Sequence, residues 1–414
     1  MNDTQLYAEI INIGDELLDG HTVNSNAAWM SAALRGIGIP VLRHTVVADE
    51  GAAIVRALDG VMAETTHVFV TGGLGPTEDD RTKAVITDYF GGHLVFHQDI
   101  YDMIEARFRA RGRILSPLNR GQAMLPDNAE LIPNGRGTAS GMIFRKGGRT
   151  FYLMPGVPYE MQDIMERSLL PKLAGQSGLR LIERSVHTFG IPESEIAEMI
   201  ENHFPELRRD VSLGFYPSVK GITLRLKGKD GGELDKYVSG ICEILGDTVV
   251  SLNPESMAEV VLTLCRERGL SLALAESCTG GLISSMITDI PGSSRVFREG
   301  YVAYSNEAKV NVLGVDPEIL RGYGAVSEET VRAMALGARE RSGADIAAAV
   351  SGIAGPDGGS PEKPVGTVWI AVSYGDRTLT HKISYDRGRR KNKEYAAHAA
   401  LNLIRLALLA DVRS

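Results

Sequence analysis

Only three cysteines occur in the 414 residues, Cys242, Cys265 and Cys278, and no two of them form a C-x-x-C pair. An odd number at such spacings argues against a disulfide framework and a cysteine-held zinc, and suits a reducing compartment. A basic excess is missing too: 44 Lys and Arg stand against 52 Asp and Glu, a formal net charge of −8. Such a balance repels nucleic acid on average, so no nucleic-acid partner is expected. No uncharged apolar run reaches the roughly 18–20 residues that span a bilayer. The start, Met-Asn-Asp-Thr-Gln, has no basic region followed by an apolar run. A cytoplasmic protein with no membrane contact is expected. Internal repeats and low-complexity stretches are absent.

What is present is apolar material for two to four domains, at 43% of the chain. Up to about residue 170, short β-branched runs alternate with helical periodicity. Ala8–Ile13, Val41–Val47 and His67–Thr71 read as strands, and 26–35, 51–64 and 81–90 as helices. That alternation implies parallel βαβ units, whose ligands sit at the carboxyl ends of strands. Gly14-Asp15-Glu16 and Gly72–Asp80 fall at such ends, the first as a turn. From 178 to 250 the pattern is a small α+β module, with Lys227–Gly232 as a hairpin or loop turn. From 255 to 414 strands and helices alternate again. Ser271–Ala275 reads as a strand, a helix begins near Gly281, and a last helix spans 393–409.

The third segment carries the chemistry. Ala275-Glu-Ser-Cys-Thr-Gly-Gly281 places a serine on a small-residue turn between strand and helix. Tyr304-Ser-Asn-Glu-Ala-Lys309 follows. Amide hydrolysis needs an activated nucleophile, an oxyanion site and a proton donor. Ser277 can be that nucleophile. Backbone N–H groups near Thr279, Gly280 and Gly281, with the helix dipole behind them, can hold an oxyanion. Lys309 can take the proton if burial lowers its pKa well below ~10.4, and Tyr304 can relay the proton or hold the lysine. Spacing alone favours Ser277 as a helix N-cap, with Tyr304 and Lys309 as ordinary partly exposed residues. Cys278 is a rival nucleophile with no histidine near it in sequence, and a small buried cysteine is the preferred reading of it. Gly352 and Gly355 belong to a second glycine-rich loop that can approach a phosphate or ribose closely. Arg387, Arg389, Arg390, Lys391 and Lys393 form a basic run that suits either a phosphomonoester or a solvated face.

These motifs, together with Gly324-Ala-Val-Ser-Glu-Glu-Thr330 and Ser351-Gly-Ile-Ala-Gly-Pro356, resemble the CinA (competence/damage-inducible) C-terminal domain over residues 255–414. The resemblance implies a nicotinamide mononucleotide deamidase, an α/β amidohydrolase domain that works through Ser277, Tyr304 and Lys309 without a cofactor. The family's Gly-Asp-Arg pattern before the last helix is replaced here by Arg387-Gly388-Arg389-Arg390. Arg389 with Lys393 is the best alignment to the phosphate-binding position. Gly72-Gly-Leu-Gly-Pro-Thr-Glu-Asp-Asp-Arg-Thr82, Gly14-Asp15-Glu16 and Met154–Met161 resemble the N-terminal MoaB/MogA-like (molybdopterin-binding) fold of full-length CinA proteins. That fold implies a three-layer α/β domain over 1–172. It further implies a metal-dependent ADP-ribose pyrophosphatase, with a small linking domain over 178–250. A pyrophosphate needs a divalent cation of the Mg, Mn or Co class, held by carboxylates. Asp15, Glu16, Asp49, Asp79 and Asp80 are the candidates, and each alone also suits capping or solvation. Gly72, Gly73 and Gly75 would let backbone N–H groups meet phosphate oxygens. The resemblance also suggests a homodimer. The rival readings are a non-catalytic binding protein serving DNA uptake or repair, and an N-terminal domain that binds molybdopterin.

Overall fold

The computed structural model describes residues 6–75, 82–110, 112, 114–174, 176, 182–207, 211–253 and 255–411. The chain forms two units, Met1–Leu181 and Ile182–Ser414.

In the first unit, β1 (Ala8–Ile13), β2 (Val41–Val47) and β3 (His67–Thr71) match the runs of β-branched residues. β4 (Leu94–Phe96) and β5 (Met124–Pro126) form a separate two-stranded ribbon. β6 (Glu130–Ile132), β7 (Gly141–Lys146) and β8 (Arg149–Met154) complete the main sheet, in the order β2-β1-β3-β8-β7-β6. The four strands from β2 to β8 are parallel, but β7 runs antiparallel to β8 and β6 to β7. The parallel units expected from β1, β2 and β3 are found, and the antiparallel β6 and β7 lie outside the runs that read as strands. The β7–β8 connection is the tight turn Gly147-Gly148, both at positive φ, and two residues can join only antiparallel neighbours.

β1 is buried on both faces, as an inner strand of a three-layer α/β domain must be. Ala8 and Ile10 pack with Met30 and Leu34 of one helix layer, while Ile11 and Ile13 pack with Ile54 and Ile86 of the other. The helix expected over 51–64 stops at Asp59, because Gly60 closes it.

The second unit begins with the linking module. β9 (Ile182–Thr188), β10 (Ser212–Ser218), β11 (Gly221–Gly228) and β12 (Val249–Ser251) form an antiparallel sheet in the order β10-β11-β9-β12. Helices Glu193–His203 and Gly231–Leu245 pack on it through Ile196, Ile200, Leu234 and Ile241. Lys227–Gly232 is not a hairpin: β11 ends at Gly228, and Asp230 caps the following helix by accepting from the Gly232 and Glu233 N–H groups. Sequence reading missed the hairpin that does exist, β10–β11, since its turn lies at Val219-Lys220 with no preceding glycine.

The rest of the unit is a five-stranded sheet. β13 (Leu272–Glu276), β14 (Phe297–Val302), β15 (Ile346–Gly352), β16 (Thr367–Tyr374) and β17 (Arg377–Ser384) lie in the order β14-β13-β15-β16-β17. The first three are parallel and the last two antiparallel. β13 alternates large and small side chains, and each set meets its own layer. Leu272 and Leu274 pack with Val261, Ile283, Leu401 and Ile404, whereas Ala273 and Ala275 face Met334 and Ala338. The small face lets helix Glu328–Ser342 sit close. A Cβ at Gly337 would stand 1.8 Å from the Leu313 carbonyl.

The linking module is docked on this domain by two devices. Phe189 stacks on Tyr395 at 5.4 Å, and Tyr395 on Tyr385 at 4.4 Å. Buried Arg405, on the last helix Arg389–Asp411, donates to the carbonyls of Val249 (2.9 Å) and Asp247. No helix among the described residues is long and apolar enough to cross a membrane.

Candidate active site around Ser277 and Lys309

β13 delivers Ser277 to the carboxyl edge of the sheet. Its N–H donates to the Val350 carbonyl (2.9 Å), so the strand pairing runs one residue past β13 and fixes the serine backbone. The chain then turns through Gly280 and Gly281, at φ +63° and +92°. These left-handed positions favour glycine.

The acid before the serine holds this turn. Glu276 is buried; its Oε2 accepts from the Gly281 N–H (3.0 Å) and the Ile283 N–H (3.1 Å), and its Oε1 from the Ser284 N–H (2.8 Å) and hydroxyl (2.7 Å). Helix Leu282–Thr288 is only seven residues long, and these amides at its start are spent on Glu276. Gly280 N–H donates to the Ser277 carbonyl (3.1 Å). The expectation that Gly280 and Gly281 offer oxyanion donors is thus corrected: both N–H groups are engaged in shaping the turn. Thr279 is buried beside them, and its Oγ1 has no hydrogen-bond partner among the described residues.

Lys309 comes from the facing helix, Asn306–Leu313, which Ser305 caps by accepting from the Ala308 N–H. The lysine is 1% exposed. Its Nζ lies 3.1 Å from Ser277 Oγ, 3.0 Å from the Ala303 carbonyl and 3.3 Å from the Tyr304 carbonyl. No carboxylate bonds to it among the described residues. Burial lowers its pKa, since the charged form loses hydration without gaining a full counter-charge. An amine made neutral in that place would be within reach of the Ser277 proton.

Tyr304 is 60% exposed, and its phenol accepts from Arg389 Nη2 at 3.3 Å. Its backbone carbonyl, together with that of Ala303, accepts from Lys309 Nζ. Cys278 is buried and its thiol is pushed up to about 12, chiefly by desolvation. That shift works against a thiolate there.

Cations close one side. Arg389 Nη1 donates to the Gly355 carbonyl (2.7 Å), and Lys393 Nζ lies 3.6 Å from where a Cβ on Gly280 would stand. The fold therefore gathers Ser277, Lys309, Tyr304, Thr279, Gly280, Gly281, Gly355, Arg389 and Lys393. Gly352 belongs to the sheet instead: it ends β15, and a Cβ there would meet Val368 Cγ2 at 2.5 Å. Sequence reading missed Glu276 and Asn392. Buried Asn392 donates to the Ala354 carbonyl (3.0 Å) and accepts from the Arg387 N–H (2.8 Å), tying the glycine-rich loop to the start of the last helix. An acid closing an apolar strand just before a glycine turn was the available signal for Glu276.

In the first unit, Asp15 and Asp49 meet at the carboxyl ends of the parallel strands, where Asp15 Oδ1 accepts from the Asp49 N–H at 3.3 Å. Asp15 and Glu16 begin a short helix, Asp15–Leu18, rather than a turn. Gly72 and Gly73 have φ of +116° and +61°; added Cβ atoms would stand 1.9 Å from the Ile13 carbonyl and 1.9 Å from Thr82 Oγ1. Neighbouring chain thus requires both glycines. Gly75 lies at the end of a described stretch, and Asp79 and Asp80 lie outside the described residues. Among the described residues no three His, Cys, Asp or Glu side chains are grouped to hold a metal. Gly72→Ala is expected to destabilise this unit by more than about 1 kcal/mol, read by thermal unfolding.

Residues 254–408 match the family model of the CinA C-terminal domain, 183–251 the damage-inducible protein CinA KH domain, and 9–175 a probable molybdopterin binding domain. A CinA-like protein of Chlorobium limicola is 41% identical over 413 residues, covering 96% of each chain. The chain belongs to the CinA family. A putative competence-damage inducible protein of Caldicellulosiruptor saccharolyticus is 38% identical, covering 98% of this chain and all of its own length. Among solved CinA structures, the competence/damage inducible protein CihA from Agrobacterium tumefaciens is 45% identical; the match covers 37% of this chain and 93% of that one, with a TM-score of 0.36. The CinA family fold accordingly comprises a MoaB/MogA-like domain, a small linking domain and the CinA C-terminal domain.

Proposed function

We propose that the C-terminal domain is an amidohydrolase that converts nicotinamide mononucleotide to nicotinic acid mononucleotide and ammonia. The observation that carries this reading is the buried Lys309 amine 3.1 Å from Ser277 Oγ. Ser277 Oγ attacks the carboxamide carbon while its proton passes to neutral Lys309. The tetrahedral intermediate collapses as the lysine returns that proton to the departing nitrogen, releasing ammonia and leaving an ester on Ser277. Water then attacks the ester, losing its proton to Lys309, and the bond to Ser277 Oγ breaks as the lysine hands that proton to the serine oxygen, freeing the acid and restoring both side chains. Arg389 and Lys393 are the cations on hand for the phosphate.

The pH dependence has a definite sign. The lysine must be neutral before it can act, so the rate rises with pH through its depressed pKa. Lys309→Met is expected to lose on the order of 10²-fold or more in kcat and to lose that rising limb. Ammonia release from nicotinamide mononucleotide, followed across pH with EDTA present, checks both. A mutant retaining wild-type rates would end the reading.

For the first unit we infer cleavage of ADP-ribose to AMP and ribose 5-phosphate, assisted by a divalent ion. Asp15 and Asp49 are hard oxygen donors at the strand ends, which suits a cation of that class. The chemistry such an ion supplies is neutralisation of the pyrophosphate and activation of a water. AMP production that EDTA abolishes, alongside ammonia release that EDTA spares, is the expected pattern.

A further inference from the structure

A cleft of about 580 Å³ opens in the second unit, between the linking module and the C-terminal domain. Neither Ser277, Lys309 nor Arg389 lines it. One wall is the β10–β11 turn with its flanking residues, including Ser218, Val219, Lys220 and Ile222. The other comes from the helices that start at Met257 and Leu282 and from the last helix.

Its chemistry is distinctive. The walls mix aliphatic and thioether side chains, Val250, Leu282 and Met286 among them, with polar and charged ones. His398 reaches the cleft from the last helix. It is 7% exposed, and its Nδ1 has no hydrogen-bond partner among the described residues. A buried ring nitrogen without a partner is costly unless something supplies one. Burial holds this ring neutral, with its pKa lowered to about 4; Lys220 pushes the same way and Glu394 opposes. The neutral ring offers one donor and one acceptor. Around it stand four acids, Glu255, Glu259, Asp289 and Glu394, and one cation, Lys220, with His187 as the second histidine. Glu259 is partly engaged in its helix cap and Glu394 pairs with Arg390. The lining is still net negative, which disfavours phosphate.

We propose that this cleft is a second ligand site, for a small planar heteroaromatic base that carries no phosphate, hydrogen-bonded to His398 and packed against Leu282 and Met286. A concave site that sets apolar contact beside placed polar groups suits such ligands. The site is separate from the Ser277 chemistry, so its test does not depend on that reading.

The probes are adenine and benzimidazole, titrated into the full chain by calorimetry, with AMP as the charged comparison. Saturable binding of at least one free base is expected, with AMP at least tenfold weaker than adenine at this site. Val219→Trp, at the hairpin turn, fills the cleft from the linking side and is expected to weaken that binding at least tenfold. Ammonia release from nicotinamide mononucleotide should be unchanged in this variant. His398→Leu should weaken binding likewise, and circular dichroism and thermal unfolding check that each variant is folded. Failure of both bases to bind the wild type overturns the proposal. So does binding that Val219→Trp leaves intact, which would put the base elsewhere on the chain.

Discussion

Ser277→Ala, assayed with EDTA present, is expected to release ammonia from nicotinamide mononucleotide at no more than about one-thousandth of the wild-type rate, because removing a nucleophile removes the covalent route altogether. The substitution is mild in other respects. The Ser277 backbone bond to Val350 does not involve the side chain, and the residue is too small to leave a large cavity. Thermal unfolding should therefore barely move. A loss of rate with stability intact separates a nucleophile from a helix cap, since a cap would show the reverse. Substrate affinity should persist, because Arg389 and Lys393 are untouched. Wild-type rates in the mutant would remove Ser277 from the chemistry.

The second large effect is expected at Glu276, on stability and rate together. Glu276→Gln keeps the shape but replaces one acceptor oxygen with an NH₂ group, which then faces backbone donors. Either Gly281 and Ile283 or the Ser284 pair loses its acceptor in a buried place. Leaving two such donors unmet costs roughly 3 kcal/mol or more. For a unit of this size that lowers the melting temperature by about 6–12 °C. Because Glu276 touches no reacting atom, it is a positioning residue, and kcat should fall more than KM changes. Unchanged melting would mean that the turn is held by something else.

Much of the fold was legible because its strands are local and strongly patterned. β2 and β3 have the expected bounds, since their β-branched runs are set between Pro40 and Ala48 and between Thr66 and Gly72. Strand direction was not legible in the same way. Whether β7 and β16 run with or against their neighbours depends on the length and turn chemistry of connections, which a strand's own residues do not encode. At the site, Ser277 and Lys309 could be named through the motifs that resemble the CinA family, while the engagement of the Gly280 and Gly281 amides could not. The Gly281 amide is taken by Glu276, whose side chain folds forward onto the turn that follows it, and the Gly280 amide by the Ser277 carbonyl. Tyr304 illustrates the same limit: its place in the site was readable, but the part it plays through its carbonyl emerged only once Lys309 was seen buried beneath it.

The docking of the linking module bears on where the chain can be cut. Family boundaries separate residues 183–251 from 254–408, yet Arg405 finds its acceptors at Asp247 and Val249, across that boundary. A fragment starting at residue 255 would retain a guanidinium sunk into the last helix with two of its carbonyls gone, and would bare the Tyr395 ring that Phe189 covers. The unit of inheritance is then smaller than the unit of cooperativity, and Ile182–Ser414 should melt in one transition where sequence similarity draws two parts.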